Sequence, residues 1–252
     1  MAKAYKNIIY QKEGLICKII LNRPEALNAI NTQMVIELRA AFEQARIDVS
    51  TKVVILTGSG RAFSTGRDLK EYQKYGANLL ADWEMRQSGQ LGFGFVRDFE
   101  KPTIAAINGF ALAGGCELAL ACDIRIASKS AKFGLPEINF GSFPGAGATY
   151  LLPPLIGKNR ALELIFTGDM IDANEAENIG LVNRVFPQDQ LELMADKLAE
   201  KIASKSLPAL KLAKAAVNHA EDNYTWAGMK ISASLRALAE ASVDRRKMLR
   251  KC

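Results

Sequence analysis

The chain has 252 residues, of which 49% are hydrophobic and 24% charged, the composition of a globular domain with at most one appended piece. Its net charge of +6 is mild, and no apolar run reaches the roughly 20 residues of a membrane span, so neither a nucleic-acid-binding nor a membrane-spanning protein is indicated. Four cysteines without a CxxC pair, and a first segment without an apolar stretch, predict a reduced, cytoplasmic setting.

The first two thirds of the chain alternate apolar strands with helices. Strands are predicted at residues 8–10, 16–21, 53–56, 103–107, 124–126 and 132–133, with a hairpin between the first two. Asn31 or Thr32 is placed to cap one helix, Asp68 to begin a second, and residues 113–121 to form a third. This recurrence of strand and helix predicts an α/β core.

The remainder of the chain is predicted to be mostly helical. Helices are expected at residues 160–167, 172–179, 188–204, 208–219 and 224–242, with one strand at residues 181–185. No low-complexity linker separates the halves. The predicted division is therefore a core of residues 1–190 followed by a helical region of residues 191–252.

The single histidine excludes several kinds of catalytic site. His219 lies in a helical-looking stretch, remote from every glycine-rich motif, and is interpreted as a structural or surface residue. The sequence therefore does not supply the histidines that a histidine-based triad or a multi-histidine metal site needs, and no metal ligands are predicted. The sequence also contains neither a Walker A motif nor a Rossmann fingerprint.

The most informative segment is Gly-Gly-Cys-Glu at residues 114–117, between an apolar strand and an apolar helix. A helix start presents backbone N–H groups without intrahelical partners, which attract negative charge. Glu117 follows Gly114 by three residues and so lies on the same face of the first turn. This pattern suits a reaction in which an oxyanion forms while a proton moves. Taken alone, however, such a glycine pair more often serves close backbone packing, and such a glutamate more often lies on the surface.

A second glutamate lies on the proline- and glycine-rich segment of residues 133–147, where Glu137 follows a strand. Motifs at residues 21–29, 61–70, 164–169 and 176–183 complete a series along nearly the whole chain. In order and spacing, these motifs resemble those of the crotonase (enoyl-CoA hydratase/isomerase) superfamily. The resemblance implies a crotonase-type spiral of ββα units, with the C-terminal helical region used to assemble a trimer or a dimer of trimers.

The resemblance also implies an enoyl-CoA hydratase-like lyase and assigns its site. The backbone N–H groups of Arg67 and Gly114 would hold the thioester oxygen, and Gly114 is expected to need an unusual backbone conformation that also lets substrate approach. Glu117 and Glu137 would hold a water and move its protons, since two close carboxyls cannot both ionise freely. Coenzyme A is part of the substrate, and no cofactor is expected. The implied substrate-binding and CoA-binding positions are Ala26, Leu27, Ala29, Ser64, Asp68, Leu69, Lys70, Pro144 and Gly145.

Other side chains near these motifs are given structural roles. Cys116 is expected to be a small buried hydrophobe, because no histidine base accompanies it. Asp123 is expected to tie the turn between helix and strand, and Ser64 to shape its own turn. The Arg67 guanidinium is left with two alternatives, a surface role or contact with a phosphate or acyl group. Residues 148–153 lack the Gln-Arg pair common in the family, so packing is expected to replace a polar contact.

Alternative functions remain open on the same scaffold, because a fold does not fix its chemistry. An isomerase, an acyl-CoA hydrolase or another specialised crotonase is the nearest alternative, and the presence of both glutamates favours hydration. An RNA-binding or purely structural protein would need a basic stripe on an exposed helix. The helix that begins near Thr32 carries only Arg39 and Arg46, balanced by acidic residues, so acyl-CoA is the expected partner and nucleic acid is not.

Overall fold

The computed structural model describes residues 5–75 and 92–218. In these ranges ten strands form a six-stranded and a four-stranded sheet. The strands are β1 (Ile8–Glu13), β2 (Ile16–Leu21), β3 (Val53–Gly58), β4 (Ala62–Ser64), β5 (Thr103–Ile107), β6 (Phe110–Leu112), β7 (Ile124–Ser128), β8 (Lys132–Gly134), β9 (Met170–Asp172) and β10 (Arg184–Phe186).

The chain passes back and forth between the two sheets. The large sheet has the order β1-β2-β3-β5-β7-β10, with β1 and β2 forming the predicted antiparallel hairpin and the other neighbours parallel. The small sheet has the order β4-β6-β8-β9, in which only the last pair is antiparallel. Each of β3, β5 and β7 is followed by a small-sheet strand and then a helical segment, which confirms the predicted spiral of ββα units.

Eight named helices accompany the strands in the described ranges. They are α1 (Thr32–Ile47), α2 (Leu69–Tyr75), α3 (Gly94–Arg97), α4 (Gly114–Leu120), α5 (Ala148–Ile156), α6 (Lys158–Thr167), α7 (Ala173–Asn178) and α8 (Leu191–Ala203). Residues 207–218 are also helical. The predicted cap of α1 is confirmed, since Asn31 Oδ1 accepts a hydrogen bond from the Met34 amide at 2.8 Å. None of these helices is long and apolar enough to cross a bilayer.

The large sheet is covered on both faces, because successive side chains of a strand point to opposite sides. Val54 and Leu56 of β3 belong to the main core together with Leu38 of α1. Val53 and Ile55 of the same strand pack instead against the alanine-rich face of α8. The framework of the molecule is therefore a buried sheet between α1 and α8.

Helix α8 is the first helix of the predicted C-terminal region, and it belongs to this framework. Its acidic residues Glu192 and Asp196 pair with the buried Lys18 Nζ at 3.2 and 2.9 Å. The division at residue 190 stays a prediction. The predicted helix at residues 224–242, like His219, lies outside the described residues.

Several elements differ from the prediction. Of the four three-residue strands of the small sheet only β8 was predicted, because so short a segment rarely shows a period. Helix α5 was missed because it contains Pro153 and Pro154, which ordinarily interrupt a helix. The strand expected at residues 181–185 is displaced toward the C-terminus, as β10.

Candidate active site

Three neighbouring parallel strands of the small sheet end at one edge, and each leads into a predicted site residue. Strand β4 leads to Arg67, β6 to Gly114 and β8 to Glu137. The register pairs Leu112 at the end of β6 with Gly134 at the end of β8. Since the carboxyl ends of parallel neighbours meet at the same edge, three separate motifs of the sequence converge there.

The backbones of Arg67 and Gly114 lie side by side at this edge. Gly114 is the first residue of α4, so its N–H has no acceptor within the helix. Ile30 accepts from the Asp68 amide and donates to the Gly66 carbonyl, which turns the Arg67 N–H between them away from Ile30. A Cβ added to Gly114 would lie 3.7 Å from the Arg67 nitrogen. The backbone of Arg67 thus borders the side of Gly114 on which a side chain would lie.

The conformational strain at this turn lies beside Gly114 rather than on it. Positive φ angles occur at Ala113 (49°) and Gly66 (87°), and the expectation that Gly114 itself adopts an unusual conformation is wrong. A Cβ on Gly66 would meet the Gly114 nitrogen at 2.8 Å, and one on Gly115 would meet the Ser64 carbonyl oxygen at 2.2 Å. A Cβ on Gly114 would make only ordinary protein contacts. Gly66 and Gly115 are thus required by backbone packing, whereas Gly114 leaves room at the site.

Glu117 is held inside the protein by backbone amides. Its side chain is 1% exposed, and its Oε1 accepts hydrogen bonds from the Ala146 and Ala148 N–H groups at 2.7 and 3.1 Å. Both amides belong to the start of α5, where backbone N–H groups attract negative charge. The carboxylate therefore joins α4 to the loop that contains Pro144 and Gly145.

Glu137 approaches the same place from β8. It lies half-buried in the short 3-10 helix Pro136–Phe140, which follows directly from the strand. The Ala113 N–H donates to the Gly134 carbonyl at 2.9 Å and joins the turn before α4 to the end of β8. Burial, together with the negative charges of Glu137 and Glu117, raises the pKa of the Cys116 thiol to about 12. Cys116 is therefore the buried small residue that the sequence predicted.

The loop with Ala26, Leu27 and Ala29 is fixed by Asn28. Leu27 and Asn28 both have positive φ angles, of 51° and 55°. The buried Asn28 side chain donates to the Ala62 carbonyl at 2.8 Å and accepts from the Arg23 amide at 2.8 Å. These bonds hold the loop against the start of the small sheet.

Arg23 joins this loop to the segment that contains Arg67. Its Nη1 donates to the Ala29 carbonyl at 2.6 Å and to Asp68 Oδ2 at 2.8 Å. Asp68 also caps α2 through Oδ1, as predicted, by accepting from the Lys70 and Glu71 amides. Burial opposes ionisation of Asp68, but the Arg23 hydrogen bond and the two amides outweigh it, so its pKa is lowered.

The other predicted contact residues differ in accessibility. Ser64 is fully buried, where its hydroxyl donates to the Asn28 carbonyl and accepts from the Gly66 amide, and so shapes the turn as expected. Leu69 and Lys70 are exposed on α2, Pro144 is buried, and Gly145 is half-buried. Their contacts with substrate stay predictions.

Asp123 has the structural role that was predicted for it. Asp123 Oδ2 accepts from the Thr103 amide and hydroxyl at 2.8 and 3.0 Å, which confirms that Asp123 ties the turn between α4 and β7. Arg23 has a structural role that was not predicted, although it lies in one of the recognised motifs. No local pattern in the sequence signals its pairing with Asp68, 45 positions away.

Comparison with known proteins identifies relatives along almost the whole chain. The family model described as enoyl-CoA hydratase/isomerase matches residues 11–250. Crotonyl-CoA hydratase of Syntrophomonas wolfei is 41% identical over 247 residues, covering 96% of this chain and 93% of the relative. Short-chain-enoyl-CoA hydratase of Clostridium acetobutylicum is 44% identical over 216 residues, covering 84% and 81%. The crystal structure of an enoyl-CoA hydratase/isomerase from Xanthobacter autotrophicus Py2 superposes with a TM-score of 0.89 at 36% identity, covering 97% and 91%.

Proposed function

The chain belongs to the enoyl-CoA hydratase/isomerase family, and on that premise we propose that it adds water reversibly across the 2,3-double bond of an enoyl-CoA thioester. The observation that supports the proposal is that β4, β6 and β8 lead at one edge into Arg67, Gly114 and Glu137, with Glu117 on the first turn of α4. A hydro-lyase needs this combination, because one step creates negative charge on the thioester oxygen while protons move nearby.

The backbone donors act on the thioester carbonyl. As water attacks the β-carbon, electron density moves onto the carbonyl oxygen, and the N–H groups of Arg67 and Gly114 stabilise that developing charge. Because both donors are fixed by the parallel bridge at Ile30 and by the start of α4, they need little reorganisation during the reaction.

The two glutamates handle the water. One carboxylate accepts a proton as the water oxygen bonds to the β-carbon, and the other carboxyl group delivers a proton to the α-carbon. The net change is one water added and no electrons transferred, so the proposed reaction uses no redox cofactor. Coenzyme A enters as part of the substrate.

The choice of substrate starts from the relatives. One is named for crotonyl-CoA and another for short-chain enoyl-CoA, so crotonyl-CoA is the first substrate to test. Turnover is followed by the loss of the ultraviolet absorbance of the conjugated thioester, across a series of increasing acyl length. A 3-enoyl-CoA serves as the isomerase substrate, and preference for it over crotonyl-CoA would replace hydration by isomerisation.

The catalytic roles are tested with isosteric variants. Glu117→Gln and Glu137→Gln should each lower kcat by about 10²-fold or more, the contribution of general acid–base catalysis, with folding retained. Glu163→Gln, on the exposed face of α6, is the matched control and should keep full turnover. Turnover near that of the control in either site variant would remove that residue from the mechanism.

We also propose that the protein assembles as a trimer or a dimer of trimers in the cytoplasm. Closed symmetric assemblies are the usual way to cover apolar surface, and Phe166 and Met170 expose large apolar side chains close together in the chain. Light scattering that finds a monomer across a range of concentrations would reject this assembly.

Acyl-CoA is the proposed partner, and the surface of α1 supports this choice over nucleic acid. Arg39 lies over the Phe95 ring at 4.6 Å from its centroid, and Arg46 pairs with Glu43 at 2.6 Å. Both arginines that a basic stripe would need are thus engaged within the protein.

A further inference from the structure

The position of the Glu117 carboxylate depends on one turn at the start of α5. The two amides that donate to Glu117 Oε1 belong to Ala146 and Ala148, the residues on either side of Gly147. A rotation about the Gly147 backbone bonds would therefore move one donor relative to the other, so that both could no longer reach the same oxygen. The conformation of this turn decides where the carboxylate sits.

Gly147 adopts a backbone conformation that has to be held by its surroundings. Its φ is 153° and its ψ is −28°, a combination that residues with a side chain rarely adopt. Glycine has access to many other conformations, so neighbouring groups are needed to keep it in this one.

Tyr150 and Leu151 supply those neighbouring groups. Their amides both donate to the Gly147 carbonyl, at 3.2 and 2.9 Å. Their side chains fold back over the turn, since a Cβ added to Gly147 would lie 3.5 Å from Tyr150 Oη and 3.2 Å from Leu151 Cδ1. The hydroxyl end of the Tyr150 ring, with Cζ at 3.8 Å, thus lies beside Leu151 over the side of Gly147 that a side chain would otherwise fill.

The phenol remains a neutral group beside the carboxylate. Burial, followed by the negative charge of Glu117, raises the pKa of Tyr150 to about 12. The other charged groups that act on it are Arg97, which lowers the pKa, and Asp98, which raises it. At neutral pH the ring can therefore pack near Glu117 without adding a second negative charge.

We propose that Tyr150 is a positioning residue for Glu117. By packing on Gly147, the ring holds the Ala146 and Ala148 amides against the carboxylate. The inference rests on the proposed function, because it takes Glu117 to act in hydration. The ring, and not proton transfer by the hydroxyl, carries the effect.

Replacement of Tyr150 separates the ring from the hydroxyl. Tyr150→Ala should lower kcat for crotonyl-CoA by roughly 10- to 100-fold, since small displacements of a catalytic group have effects of this order, while KM changes little. Tyr150→Phe keeps the ring and should retain kcat within about twofold of the unmodified protein. Equal losses in the Phe and Ala variants would assign the effect to the hydroxyl and overturn the proposal.

A matched control accounts for general loss of packing. Tyr10 is another partly buried tyrosine that packs against the main core, on β1 at the far edge of the large sheet. Tyr10→Ala should lower the thermal stability but leave kcat unchanged. If it lowers kcat as much as Tyr150→Ala does, the loss at Tyr150 is a consequence of packing alone and the proposal fails.

A double-mutant cycle distinguishes this inference from the proposed function. In a Glu117→Gln background, Tyr150→Ala should change kcat by less than about twofold, because the group that it positions no longer reacts. The same loss in both backgrounds would show that Tyr150 acts independently of Glu117. Full activity of Glu117→Gln alone would instead contradict the proposed role of Glu117, on which the inference depends.

Discussion

The two sheets of this protein differ in role: the large sheet supports the fold, and the small sheet leads into the candidate active site. The large sheet consists mainly of five- and six-residue strands, buried between α1 and α8. The small sheet consists of four three-residue strands, and three of them lead directly into the site. The long strands hold the fold through apolar area, whereas the short ones place backbone amides and carboxylates at a common edge. Damage to each sheet should therefore have a different experimental signature.

The largest expected effect on stability and activity comes from Gly115→Ala, which adds a single carbon atom between the small sheet and α4. In Gly115→Ala the new Cβ would meet the Ser64 carbonyl 2.2 Å away, so the helix has to shift, at a cost of about 3 kcal/mol or more. Activity should be lost together with thermal stability. The matched variant is Gly114→Ala, whose Cβ meets only Gly66 and Arg67, at 3.6 and 3.7 Å.

Gly114→Ala should fold with nearly normal stability but turn over roughly 10²-fold more slowly, because the added methyl group occupies the approach of the thioester. Thermal unfolding and kcat/KM are measured on both variants. Equal stability of the two variants would contradict the packing explanation for Gly115.

The second effect isolates the backbone of Arg67. Arg67→Pro removes one of the two proposed oxyanion donors and should lower kcat by about 10²- to 10³-fold. Arg67→Ala keeps the N–H and should lower kcat by less than about tenfold. Steady-state kinetics with crotonyl-CoA compares them, after circular dichroism has shown that both are folded. Loss of activity in the Ala variant, with folding and CoA binding intact, would mean that the guanidinium takes part in the chemistry.

The third effect tests the supporting sheet. Leu56→Ala removes a fully buried side chain from the middle of β3 and should lower the free energy of unfolding by about 2–5 kcal/mol. The site lies on the other sheet, so kcat per folded molecule should be unchanged. Urea unfolding measures the free energy of unfolding, and turnover at a temperature where the variant is folded measures kcat. A large loss of kcat would show that the two sheets are not separable in this way.

The smallest expected effect concerns the ion pair between Asp68 and Arg23. The Asp68 pKa is lowered below its ordinary value of 3.8, so the charged form stabilises the fold at pH values above about 4. Asp68→Asn keeps an N-cap side chain but removes the charge, and should cost about 0.5–1 kcal/mol at neutral pH.

This difference should shrink as the pH falls below 4 and the native carboxylate becomes protonated. Urea unfolding of both proteins at several pH values measures it. A difference that grows on acidification would have the wrong sign for a carboxylate stabilised by an arginine.

The contrast between the sheets also explains what the sequence could and could not predict. Strands β2, β3 and β5 were predicted because five or six consecutive residues form apolar runs. Strands β4 and β6 contain three residues each, and their existence depends on pairing with one another. The local pattern of apolar residues therefore predicted the strands of the large sheet better than those of the small sheet, which leads into the candidate site.

The site residues themselves were found through the order of motifs, not through periodicity. The resemblance assigned Glu117 and Glu137 to one site, and the structure places them after two neighbouring strands, β6 and β8. The contact between Arg23 and Asp68 could not be predicted, because 45 positions separate them and neither lies in a repeating pattern. The strain at Ala113 was missed for a related reason, since alanine gives no local sign of a positive φ angle.

The two amide bonds to Glu117 Oε1 have an evolutionary consequence. If Glu117 transfers protons as proposed, this side chain is under two selections at once, one for that transfer and one for an acceptor that closes the turn at Ala146 and Ala148. A descendant that abandoned hydration would be released from the first selection but not from the second. Such a protein would tolerate glutamine at this position, which still offers an oxygen, more readily than alanine. A hydrogen-bond acceptor at position 117 can therefore be retained after the activity is lost, because the fold still needs it.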